Sequence, residues 1–406
     1  MSVQLEQWML TWALMWLVLS CAPAQSGDRT EPYRDLSTAG AGFLGPGRED
    51  LPPAGLKTVR LGIVCPANTP AGDRFRSGVG VAVSEANTAG GYGGVPYEVV
   101  FRPDDGPWGM GAKQITALAY EDSVWAILGG LDGGSAHLAE LVAAKLWVPV
   151  ITPTASDMTI DYANVPWVFR CFPSDVRQAR KLLEYAQDNH LLRLIVFVVG
   201  DREGRTGLCR VEDEARSAGV SLIERHEYLP HLPQQILAGA DLHAADAVLI
   251  WGGPESALSL LRALRATGFA RPVLGPATLI SPDFLSAAED LGPLVIAAPY
   301  DLAADPGARG VLCGQYPEQM GEGCDPVTLF AYDATRLLMA AIQRAGLNRA
   351  RIRDALADSR FEGIVGTFQF DTLGGALLEP VLITWGDGIV TRIGGAEDTG
   401  QEGANL

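Results

Sequence analysis

The chain of 406 residues is poor in lysine: 4 of its 31 basic residues are Lys and the rest are Arg. Against 48 acidic residues this leaves a formal net charge of −17. A nucleic-acid backbone is held by a basic surface, so nucleic acid is not an expected partner. No run of one sign is long enough to form a charged tail. Histidine is also scarce, with five residues, and none lies in H-E-x-x-H or another ligand spacing. The six cysteines include no C-x-x-C, and G-x-S-x-G is absent. Asp104-Asp105 is an adjacent acid pair, but neighbouring residues at a strand end point apart and no His or Cys accompanies them. No nucleophile, metal site or cofactor site is nominated, and an enzyme is not expected. Long apolar runs are missing too. The one candidate, Trp8 to Leu19, has twelve residues, below the ~20 that span a membrane.

Twelve apolar residues are instead the length of a signal-peptide core. The run ends at Val18-Leu19-Ser20-Cys21, which resembles a bacterial lipobox with Cys21 as the lipidated residue. The other reading is an ordinary signal peptide cut near Ala24. Residues 22–56 are rich in Pro, Gly, Ser and charge without a helix or strand period, and read as a flexible tether to a membrane surface. Apart from Cys21, five cysteines remain, an odd number that leaves at least one thiol free. Cys313 and Cys324 bracket a polar loop containing Gly and Pro and are expected to form a disulfide.

From Thr58 onwards strands alternate with helices. Strands are expected at Val59–Cys65, Tyr97–Arg102, Trp125–Gly129, Val148–Thr152, Leu194–Val199 and Ala247–Trp251. Helices are expected at Arg74–Asn87, Met110–Glu121, Ala136–Leu146, Val176–Asn189, Gly207–Ala218 and Glu255–Thr267. The strands are continuous apolar runs, the pattern of parallel strands covered on both faces. Two such series imply an α/β protein of two doubly wound parallel-sheet lobes, with a ligand crevice beyond the carboxyl ends of the strands.

Several polar turns lie at those ends. Gly129-Gly130-Leu131-Asp132-Gly133-Gly134-Ser135 opens a helix whose free N–H groups suit an anion. It is equally a tight turn with Ser135 as cap. Thr154-Ala155-Ser156 offers hydroxyls to a carboxylate or amide. Gly200 to Gly207 repeats the arrangement in the second series, where Arg205 can clamp an anion or simply face solvent. Trp251 either covers an apolar ligand or packs in the core.

The ordered set of segments resembles the type 1 periplasmic binding proteins, in the leucine/isoleucine/valine-binding branch that serves ABC transporters. The residues carrying it include Leu61-Gly62-Ile63, Glu85-Ala86-Asn87, Asp104-Asp105, Ile127 to Gly130, Val148 to Pro153, Phe169-Arg170, Ala331 to Ala334 and Gly366 to Asp371. The resemblance implies three hinge crossovers between lobes. Lobe 1 is then 57–171 with 301–369, lobe 2 is 172–300 with 370–394, and 395–406 is a disordered tail. It implies a ligand site of Asp132, Gly133, Ser135, Thr154, Ala155 and Ser156, with Arg205 near a position where the family commonly has an aromatic; Trp251, from its own place at a strand end, completes the expected site. A serine often used by the family falls on Gly133. An acid that anchors a ligand ammonium is replaced in Gly275-Pro276-Ala277, so a simple branched-chain amino acid is disfavoured.

The expected function is that of an extracytoplasmic solute-binding lipoprotein, periplasmic or at the cell surface. It captures a small polar or anionic ligand (amino-acid-like, amide or carboxylate) and delivers it to an ABC transporter permease. The alternative is a ligand-sensing or cell-envelope regulatory lipoprotein of the same fold. An enzyme on this scaffold would need a nucleophile or metal cluster that the sequence does not offer.

Overall fold

The computed structural model describes residues 45, 47–105, 110–304, 307–317, 325–394 and 404–405. The signal peptide, Cys21, most of the tether, Cys324 and most of the C-terminal tail lie outside them.

Strands form where apolar residues run consecutively. β1 (Val59–Cys65) is buried at every position except Arg60. It lies inside a five-stranded parallel sheet with β2 (Tyr97–Pro103), β3 (Ile127–Gly129), β4 (Val150–Thr152) and β5 (Val168–Arg170), in the order β2-β1-β3-β4-β5. A second sheet takes β6 (Arg193–Val199), β7 (Ser221–Tyr228), β8 (Ala247–Trp251), β9 (Val273–Gly275) and β10 (Leu294–Ala298) in the order β7-β6-β8-β9-β10, again parallel. A small hairpin, β11 (Arg360–Glu362) with β12 (Thr367–Gln369), stands apart. Antiparallel strands β13 (Val381–Gly386), β14 (Ile389–Ile393) and β15 (Ala404–Asn405) then extend the second sheet beyond β10. Of the expected tail only Ala404–Asn405 are described, and they pair with β14.

The helices of the first sheet are α1 (Pro70–Thr88), α2 (Met110–Tyr120), α3 (Gly133–Leu146) and the short α4 (Thr159–Tyr162). Those following in the second are α5 (Asp175–Asp188), α6 (Arg202–Ala218), α7 (Pro233–Leu237), α8 (Pro254–Ala266) and α9 (Pro282–Ala287). The chain then returns through α10 (Gly307–Gln315), α11 (Pro326–Ala345) and α12 (Arg349–Ala357). α11 packs beside α1, where Tyr332 Oη donates to Glu85 Oε2 at 2.6 Å. One apolar core therefore joins Val59, Phe75 and Leu128 to Phe330, Leu338 and Phe368.

Arg170, the last residue of β5, is 2% exposed. Its Nε donates to Asp161 Oδ1 at 2.9 Å, its Nη2 to Asp161 Oδ2 at 2.5 Å, and its Nη1 to the Phe172 carbonyl. Its backbone N–H donates to Gly374 O at 2.9 Å, and its carbonyl accepts from Ala376 at 2.8 Å. Arg170 thus ties the passage from β5 to α5 to the passage from β12 to β13.

Residues 47–50, within the segment expected to be a tether, are bonded to the body. The Asn348 side chain donates to the carbonyls of Gly47 (2.7 Å) and Asp50 (3.2 Å), and Arg48 pairs with Asp354. Cys313 is disulfide-bonded, while Cys65, Cys171 and Cys209 are free thiols. Among the described residues no helix is long and apolar enough to cross a membrane.

Replacing Asp161 by Asn should leave the buried Arg170 charge without a counter-ion. A loss of about 3–5 kcal/mol is expected for such a break, read as a lower melting temperature. A loss below about 1 kcal/mol would show that Arg170 does not depend on this partner.

Candidate functional site

Both parallel sheets follow the order 2-1-3-4-5, so each has a point where its winding reverses, β1/β3 in the first and β6/β8 in the second. In such sheets ligands bind outside the carboxyl ends of the strands at that point. The turn after β3 leads into α3, and the turn after β6 leads into α6. The two helix starts touch. The Gly133 N–H donates to Glu203 Oε1 at 2.9 Å. Arg202 pairs with Asp157, in the turn after β4, and its Nη2 donates to Thr159 Oγ1 at 3.3 Å.

Each start is fixed by a cap. Asp132 precedes α3 and accepts from Ser135 N at 2.8 Å, while Ser135 Oγ accepts from Asp132 N at 3.2 Å. This reciprocal box satisfies two otherwise unpaired donors. The cap is therefore Asp132, with Ser135 in the first turn, rather than Ser135 itself. Asp201 caps α6 through Gly204 N at 2.8 Å. That helix starts at Arg202, five residues earlier than expected from its glycines. Gly204 and Gly207 do not mark a loop: a Cβ on the first would collide with the Val199 carbonyl, and on the second with the Trp251 ring. They let α6 lie close on the sheet.

Behind Arg202 stands a connected polar group. Thr159 Oγ1 donates to Asp157 Oδ1 at 2.7 Å, and the His137 ring lies 2.7 Å from both Thr159 Oγ1 and Glu140 Oε2. Burial pushes the Asp157 carboxyl up, but hydrogen bonds from Thr159 and Arg202 outweigh it and hold it below its ordinary value. Glu203 is pushed up to about 7 by burial, with the charges of Asp132 and Asp157 adding to it. Asp104, beyond β2, rises to about 6 through burial and then the charges of Asp132 and Asp105. The carboxylates around the α3 start thus disfavour one another, and Arg202 is the cation set directly among them. No group of His, Cys, Asp and Glu among the described residues is arranged to hold a metal.

The family model described as "Periplasmic binding protein" matches residues 58–385. The chain belongs to this family. Leu/Ile/Val-binding protein homolog 3 of Brucella melitensis biotype 1 is 24% identical over 348 residues, covering 82% of this chain and 93% of that one. Among solved structures, an ABC transporter substrate-binding protein from Desulfitobacterium hafniense in complex with Leu superposes with a TM-score of 0.72 at 21% identity, covering 83% and 100% of the two chains. A solute-binding protein from R. palustris in complex with benzoate gives 0.69 at 18%, covering 86% and 95%.

In this periplasmic binding protein the expected ligand residues are placed unevenly. Asp132, Gly133 and Ser135 form the α3 start. Thr154 Oγ1 donates to Leu131 O at 2.9 Å, tying the next turn to it. Ala155 is buried, and the Ser156 carbonyl accepts from Asp175 N at 2.8 Å. The structure gives Arg205 and Trp251 other contacts. Arg205 is exposed on α6, and its Nη1 lies 3.3 Å from Glu227 rather than at the α3 start. Trp251 is 5% exposed and packs in the second sheet's core against α6. The arginine that reaches the first sheet is Arg202. Together with Glu203 it was missed because both were read as loop residues. The signal was the Asp at 201, a capping residue that places the next two residues in the first turn of a helix.

Asp175, buried at the start of α5, meets the turn after β4. Its carboxylate accepts from Met158 N at 3.1 Å, and burial followed by the Asp157 charge pushes it up to about 7. A carboxyl raised in the folded state adds stability that is complete below its unfolded value near 3.8 and is lost as pH rises through about 7. Asp175→Asn removes the ionisation. Its melting temperature should match the parent's at pH 4 and exceed it by about 2 °C or more at pH 8. An equal difference at both pH values would count against a buried, neutral Asp175.

Proposed function

We propose that this protein captures a small carboxylate-bearing solute between its two sheet units and delivers it to an ABC transporter permease. One observation carries the reading: at the reversal point of the first sheet, the α3 start already holds a carboxylate, that of Glu203, on the Gly133 N–H. A helix start offers unpaired N–H groups and the positive end of the helix dipole, so it suits this group. The ligands named for two structural relatives, leucine and benzoate, both have a carboxylate. The Gly275-Pro276-Ala277 turn supplies no acid for an ammonium, and its Ala277 N–H is taken by Gln178 Oε1 at 2.8 Å. A carboxylate ligand without an ammonium group is therefore favoured over a branched-chain amino acid. Export and anchoring at Cys21 complete the proposal, placing the protein outside the cytoplasm on a membrane surface.

A thermal-shift panel of leucine, benzoate, hydroxybenzoates, aliphatic acids and amides tests the ligand class. A solute at a hundredfold excess over its dissociation constant stabilises by about 2.7 kcal/mol. A body of this size then melts several degrees higher, at roughly 2–4 °C per kcal/mol. Acids alone should give the shift; a response only to amides, or to none of the panel, would remove the carboxylate reading.

The anchor is tested by fractionating cells that export the full chain. The wild type should sediment with membranes and Cys21→Ala should move to the soluble fraction. Recovery of both proteins in the soluble fraction would count against lipidation.

A further inference from the structure

The Glu203–Gly133 and Arg202–Asp157 contacts between the sheet units converge on one residue. A Cβ placed on Gly133 would lie 2.6 Å from Asp157 Oδ2, 2.7 Å from Glu203 Oε1 and 2.8 Å from Arg202 Nη1. All three distances are too short for a side chain to be present without moving the bridge. Glycine at 133 is thus what allows Arg202 and Glu203 to reach the first sheet. Nothing else about this position asks for it: Gly133 is not among the residues with positive φ.

We propose that Glu203 is a built-in occupant of the seat a ligand carboxylate takes, and that with Arg202 on Asp157 it holds the ligand-free protein closed until a solute displaces it. The displacement rests on the carboxylate reading above, whereas the closure stands on geometry alone. Glu203 and Arg202 follow β6 in the second sheet; Gly133 and Asp157 follow β3 and β4 in the first. Separating the two sheet units at this point breaks the Glu203–Gly133 hydrogen bond and the Arg202–Asp157 pair together. The group on the Gly133 N–H is itself a carboxylate, so a ligand carboxylate competes for the same donor. The burial of Glu203 beside Asp132 and Asp157 disfavours its charge, which makes this internal occupant one that can yield. A protein whose binding-competent form is only partly populated binds its ligand more weakly by that fraction.

The test uses the mature full chain as wild type, Glu203→Ala and Gly133→Ser, each first shown to melt cooperatively. Small-angle scattering without solute should give the wild type a smaller radius of gyration than either variant, against the about 20 Å of a compact body of this size. Calorimetric titration with leucine and with benzoate should show Glu203→Ala binding the accepted acid at least about fivefold more tightly than the wild type. Equal radii for all three proteins would overturn the closure. Larger radii with unchanged or weaker affinity would overturn the displacement. No binding of these or of any other acid of the thermal-shift panel to either protein would remove the carboxylate reading and the displacement with it, while the radii would still decide the closure.

Discussion

A buried guanidinium organises the passages between the two sheets. Arg170 meets Asp161 with two hydrogen bonds, and both side chains are almost fully covered. Desolvating such a pair is expensive, and two aligned bonds with a further acceptor at Phe172 are what make it tolerable. The segment from β12 to β13 depends on this arrangement. Its backbone crosses directly over the pair, where a Cβ on Gly375 would collide with both Asp161 and Arg170. Phe169 and Phe370 pack beside it with tilted rings whose centres are 5.1 Å apart. One ion pair therefore sets the positions of two chain crossings that are some two hundred residues apart in sequence.

With the crossings fixed, the carboxyl ends of the two sheets are brought to face each other. Each sheet offers its reversal point, and each fills it with the start of a helix capped by an aspartate. Two helix starts would oppose one another with like partial charge. The side chains of the first turn of α6 resolve this: Glu203 sits on the positive end of α3, and Arg202 takes the neighbouring Asp157. The same first turn thus carries an anion for one need and a cation for the other.

Much of the fold was legible because it is a local property. β1 and β8 agree with the sequence reading to the residue, since a run of apolar side chains is visible without knowing what covers it. The site was less legible. Arg205 was singled out as the anion clamp because residues 202–206 read as loop ahead of a helix from Gly207, yet they belong to that helix, which Gly204 and Gly207 press against Val199 and Trp251. That close approach is a fact of tertiary packing, invisible in a window of eight residues. The α3 start was read to within a few residues, but its occupant lies 70 positions away in sequence, and no spacing rule links the two.

The docking of residues 47–50 has a mechanical meaning. A pull on the chain from its N-terminal side is taken first by the Asn348 side chain and by the Arg48–Asp354 pair, both on or beside α12. The load enters at a helix end on the outside of the first sheet unit and bypasses β1, which follows directly in sequence. β1 lies behind this clamp in sequence, so a pull reaches it only after these contacts have given way.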